Sequence, residues 1–77
     1  MVINEEKIDE VVLALLHLTT FNDKTGRRAW KGHDWDVLNR LNEKGYISDP
    51  ATTAKSVRLT DEGARRSKDL FDKYFAQ

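Results

Sequence analysis

Cysteine is absent from this 77-residue chain, so neither a disulfide framework nor a thiolate zinc site can hold it together, and a reducing cytoplasm is the expected compartment. Long apolar runs are absent as well. The longest, Val11 to Leu16, has six residues, against the ~20 needed to cross a bilayer, and it follows an acidic N-terminal segment, so neither a membrane span nor a signal peptide is expected. Charge of one sign is also lacking, with 13 basic residues against 13 acidic ones, which excludes a domain-wide basic field. There is no repeat, linker, low-complexity tract, P-loop or dinucleotide-binding glycine pattern. A chain this short buries only about 60–65% of the surface its unfolded form exposes. The expectation is one domain over residues 1–77, with a thin core and no deep reaction chamber.

What is present reads as three helices. Asn4 can cap the first, with Glu5 and Glu6 complementing its dipole, and the helix runs over about 4–19. Ile8, Val11, Val12, Leu15, Leu18 and Thr19 recur at helical spacing as one apolar stripe, with Glu6, Asp9, Glu10 and His17 opposite. Leu13 and Leu16 widen that stripe, so this helix is either the most buried element or meets another chain through them. Residues 21–33 hold a turn signal at Asn22 to Gly26 and read as a loop or short strand, with an extended piece at Arg27 to Lys31 that could pair with later strands.

Asp34 caps the second helix over 34–44, with Trp35, Leu38 and Leu41 facing inward. Gly45 should end it in the left-handed region, letting Tyr46 reach back onto Leu41. Tyr46 to Ser48 and Lys55 to Leu59 read as a hairpin, Val57 and Leu59 on one face, Ser56 and Arg58 on the other. Thr60 caps the third helix, whose inner side carries Ala64, Ser67, Leu70, Phe71, Tyr74 and Phe75.

From Leu38 the text "LNRLNEKGYISDP" and "KSVRLTDEGARRSKDLF" resembles the second half of winged-helix domains such as MarR-like and PadR-like bacterial regulators. The residues that carry it are Leu38, Leu41, Lys44, Gly45, Ile47, Val57, Leu59, Thr60, Glu62 and Gly63. Across nearly its whole length the chain also resembles a family of very small, stand-alone bacterial proteins of unknown function. These resemblances imply an α+β fold, a minimal winged-helix-like domain of three helices with a short antiparallel hairpin and room for a third strand. They imply no substrate.

Charge distribution argues against DNA reading. Residues 1–20 carry a net −3, 21–33 +3, 34–50 −2 and 51–77 +2. The would-be recognition helix sets Asp34, Asp36 and Glu43 against Arg40 and Lys44, and no convincing supporting helix precedes it. Arg27, Arg28, Lys31, Arg40, Lys55 and Arg58, with Arg65 and Arg66 near the start of the last helix, would have to converge to neutralise phosphates.

Catalysis has little to work with. His33, Asp34 and Asp36 cluster, but Asp34 is better used as a cap and Asp36 as a dipole complement, and no serine has a neighbouring histidine base. Trp35 is expected in the core, so that Trp35→Ala would cost about 3–5 kcal/mol, whereas Arg27→Ala should stay within about 0.5 kcal/mol of neutral. Trp30 either covers a core gap or stands exposed beside Arg28 and Lys31 as a binding patch.

The reading is a non-enzymatic interaction module without metal or cofactor. Its binding residues would be Arg27, Arg28, Trp30, Lys31, His33, Arg40, Lys55 and Arg58, and its partner a protein or a second copy. The alternative is a winged-helix DNA-binding regulator. Neither a small-molecule substrate nor a membrane is expected as partner.

Overall fold

The computed structural model describes residues 2–24 and 26–77. Six elements follow in the order α1 (Glu5–Leu18), β1 (Thr20–Asp23), β2 (Gly26–Trp30), α2 (Trp35–Glu43), β3 (Ser56–Arg58) and α3 (Asp61–Phe75). The fold is α+β: three helices and one antiparallel sheet in the order β1-β2-β3. The segment read as loop or short strand is a full hairpin, pairing Thr20 with Ala29 and Phe21 with Arg28. Within its turn signal, Thr25 lies outside the described residues. This hairpin occupies the place where a winged helix carries the supporting helix of its helix-turn-helix, so the winged-helix comparison finds no counterpart between α1 and α2.

β3 pairs with β2, setting Ala29 opposite Val57. The expected hairpin between 46–48 and 55–59 is reduced to a single bridge, Ile47 with Leu59. Alternation along β2 and β3 turns Ala29 and Val57 into the core and leaves Phe21, Arg28, Trp30, Ser56 and Arg58 on the outer face. The core is built from Leu13, Leu16, Val37, Leu38, Leu41, Ile47, Val57, Leu59 and Leu70, with Tyr46, Phe71 and Tyr74 packed against it.

Both helix starts in the second half form as their residues dictate. Asp34 accepts from the Val37 amide at 3.3 Å and Thr60 from the Gly63 amide at 2.9 Å. α2 stops at Gly45, whose φ of 80° is open to glycine at no cost. There the Tyr46 amide donates to the Leu41 carbonyl at 3.1 Å and the Gly45 amide to Asn42 at 3.0 Å, the two bonds of a Schellman stop.

That stop is also the seat of α3. The Thr60 hydroxyl donates to the Gly45 carbonyl at 2.7 Å, and the Thr60 amide donates to the Tyr46 carbonyl at 3.0 Å. Gly63 lies so close to Tyr46 that a Cβ there would come within 2.7 Å of its carbonyl carbon. The Lys44-Gly45-Tyr46 and Leu59-Thr60-x-x-Gly63 motifs are therefore the two halves of one backbone contact.

Two expectations about packing are corrected. Trp35 is half exposed, not buried, because Val37, Leu38 and Leu41 fill the inner face of α2 while its first residue overhangs the core edge, 5.9 Å below the Lys31 ammonium. In α1 the inner face is centred on Asp9, Leu13 and Leu16, all essentially buried, while Ile8 and Leu18 are 40% and 67% exposed. Leu13 and Leu16 thus cannot serve self-association, and Asp9 lies inside rather than opposite the apolar stripe. The reason is that α3 and α2 flank this helix on adjacent sides. Ser67 donates to the Leu13 carbonyl at 2.6 Å and Tyr74 to Glu10 at 2.9 Å from one side, and Arg40 reaches Glu5 and Asp9 from the other.

Candidate interaction surface

The outer face of the sheet gathers aromatic and cationic side chains that the sequence scatters. Phe21 on β1 and Trp30 on β2 stack with ring centroids 4.9 Å apart, tilted by 35°. Trp30 keeps 54% of its surface exposed, so it is held in place by Phe21 without being covered. Beside them Arg28 is clamped flat on the strands: its Nε donates to the Ser56 hydroxyl and an Nη to the Ser56 carbonyl, both at 2.8 Å, and Asp23 stands 3.9 Å away. Arg58, opposite Arg28 in register, is exposed.

At the end of β2, Lys31 fastens the following loop. Its ammonium donates to the carbonyls of Pro50 at 2.7 Å and Thr52 at 2.9 Å while standing over the Trp35 ring. Its amide donates to the carbonyl of exposed Lys55 at 3.1 Å. Half-buried His33 precedes α2, and burial holds its imidazole below the usual histidine range, favouring the neutral form.

Of the eight residues singled out from the sequence, Arg28, Trp30 and Arg58 share the outer sheet face, with Lys31 and Lys55 at one end and His33 in the next loop. Two others go elsewhere. Arg27 points to the opposite face and pairs with Asp61 at 2.6 Å. Arg40 turns inward to Asp9, meeting both carboxylate oxygens at 2.7–3.0 Å, with Glu5 at 3.1 Å. Lys44 completes that cluster, 3.1 Å from Asp9. The Arg40 hydrogen bonds hold the Asp9 carboxyl below its ordinary range against the opposing effect of burial, with Lys44 assisting.

Two members of these clusters escaped the sequence reading. Phe21 was hidden because its strand read as a loop. Asp9 had a signal: Leu13 and Leu16, taken as the inner face, put Asp9 on it one turn earlier, where a buried carboxylate demands a cation.

Among the described residues, no helix is long and apolar enough to cross a membrane, and no group of three His, Asp or Glu side chains is placed to hold a metal. The cleft between the hairpin and α3, lined by His17, Arg27, Asp61 and Lys68, opens to solvent.

Residues 4–77 match the family model DUF6429, a domain of unknown function. The chain is 53% identical over 77 residues, covering all of both chains, to the uncharacterized protein y4hR of Sinorhizobium fredii (strain NBRC 101917 / NGR234). No solved structure matches the chain.

Proposed function

Since the chain belongs to the DUF6429 family, a domain of unknown function, its role has to be argued from its own surface, and we propose that it is a non-enzymatic protein-interaction module working in the cytoplasm. It docks an acidic partner protein on the outer face of its sheet. The observation that supports this is the Phe21–Trp30 stack: an indole left 54% exposed yet fixed by a neighbouring ring. An aromatic anchor that loses little freedom on binding, flanked by arginine, is the usual centre of a binding hot spot. The cations on that face and at its end, Arg28, Arg58, Lys31 and Lys55, set the sign of the partner.

The same charges weigh against the DNA-binding reading. Arg40 of α2 and Lys44 at its C-cap are spent on Asp9, and Arg27 is spent on Asp61. Of the eight cations weighed for phosphate contact, Lys55, Arg58, Arg65 and Arg66 have no side-chain partner among the described residues. These four, divided between the strand region and α3, fall short of the about 6–10 phosphates of a typical duplex footprint.

The test pairs two experiments on the intact chain. Affinity capture from source cells should recover a partner with the natural chain and lose it with Trp30→Ala and with Arg58→Glu. A salt series of duplex-DNA titrations followed by anisotropy should show no binding in the low micromolar range. Tight DNA binding with a log–log salt slope beyond about 4, or capture indifferent to both substitutions, would overturn the reading.

A further inference from the structure

The outer face of α1 is incompletely covered by the fold. Ile8 and Leu18 are 40% and 67% exposed, and Val11 and Leu15 between them are half-buried. None of the four packs against the buried core. Their positions form a helical stripe with steps of three, four and three residues, a spacing that reads the same in both directions. Turned end for end, the stripe superposes on itself: Ile8 falls on Leu18 and Val11 on Leu15.

We propose that this face binds a second copy of the same chain, with two α1 helices packed antiparallel about a two-fold axis. Ile8 then meets the partner's Leu18 and Val11 the partner's Leu15, an isologous contact in which each pairing occurs twice. Charge selects the direction. Lys7, one turn before Val11, borders the stripe on one side, its ammonium 5.9 Å from the centre of the Tyr74 ring. Antiparallel packing sets the two Lys7 side chains about 18 Å apart along the helices and brings each near the C-terminal end of the other α1, where a cation is favoured. Parallel packing would set them side by side. An anionic lipid surface is a poor occupant, because residues 1–20 carry a net −3. Four aliphatic residues per copy fall well short of the ~800 Å² per partner of a standard interface, so the dimer is a weak one, forming in the tens to hundreds of micromolar.

The test begins with sedimentation equilibrium from about 5 to 500 μM. The natural chain should shift from monomer to dimer, and Leu15→Lys should stay monomeric with an unchanged circular dichroism spectrum. Direction is read by cysteine cross-linking in this cysteine-free chain. Val11→Cys mixed with Leu15→Cys should oxidise mainly to the mixed disulfide, whereas Val11→Cys homodisulfides in excess would mean parallel packing and would sink the proposal. So would a natural chain that stays monomeric across the range. Because Trp30→Ala lies on the sheet, it should leave the association constant within twofold, so failure here and failure of the sheet reading are told apart.

Discussion

Helices α1 and α3 pack against each other and have nearly the same length, yet they sort their residues by opposite rules. α3 buries Gly63, Ser67 and Leu70 and turns Arg65, Arg66, Lys68, Asp69 and Asp72 to water, with Phe75 at its last turn as the one large apolar side chain left exposed. α1 buries an aspartate among Leu13, Ala14 and Leu16 and leaves Ile8 and Leu18 exposed. The first arrangement is complete in the monomer. The second needs help on both sides. Inside, Arg40 and Lys44 neutralise Asp9, since a lone buried carboxylate would be too costly. Outside, the two ends of the aliphatic row, Ile8 and Leu18, stay open to water. Both departures from the usual sorting fall on one helix, whose outer side is the proposed dimer face.

The sharpest way to break this comparison is at the seat of α3. Gly63→Ala should cost more than about 4 kcal/mol, enough to unfold so small a domain in urea denaturation, because the methyl group meets the Tyr46 backbone, which cannot step aside. Gly32→Ala, with open space around it, should stay within about 0.5 kcal/mol of the natural chain.

Next come the two faces of α1. Leu13→Ala should lose about 3 kcal/mol and Leu18→Ala no more than about 0.5, both measured at low micromolar concentration where copies stay apart. Equal losses would mean that the helix is not divided as described.

Asp9→Asn should cost about 2 kcal/mol at neutral pH, because it takes the charge from hydrogen bonds that Arg40 and Lys44 make. The folded carboxyl titrates below its unfolded value, so its contribution is fully present above the unfolded pKa of about 3.9 and is lost as pH falls through the lower folded value. A urea series from pH 7 to 3 should therefore show a constant gap between natural and variant chains down to about pH 5 and a closing gap below pH 4.

The smallest effect is expected at Trp35→Ala, about 1 kcal/mol or less, since half of that side chain already faces water. A loss of 3 kcal/mol would put Trp35 back in the core.

Local structure was legible wherever a residue acts on its own neighbours. Asn4, Asp34 and Thr60 cap the helices that follow them, and Gly45 stops α2, because these effects are settled within a turn of chain. The inner face of α1 was not, since it depends on where α2 and α3 come to rest, and a stripe of Ile8, Val11, Leu15 and Leu18 is as regular as one built on Leu13 and Leu16. Trp35 misled for a related reason: helical spacing puts it in line with Leu38 and Leu41, but the core ends before the first turn of α2 does. Arg27 and Arg28 are neighbours in sequence and belong to opposite faces of a strand, one bound to Asp61 and the other to Ser56. Once the segment is known to be extended, that division follows from the period of two. The Phe21–Trp30 stack required the register of a hairpin, and the turn signal at Asn22 to Gly26 marks a turn without fixing which residues pair across it.

The backbone contact between Gly63 and Tyr46 also limits how the chain can exchange parts with another copy. Domain swapping commonly lends out a terminal helix by straightening the loop before it. Here the lent helix would first have to free the Thr60 hydroxyl and amide from the Gly45 and Tyr46 carbonyls before re-forming those bonds in trans. The contact therefore acts as a latch on the loop before α3, and exchange of last helices between copies should be slow.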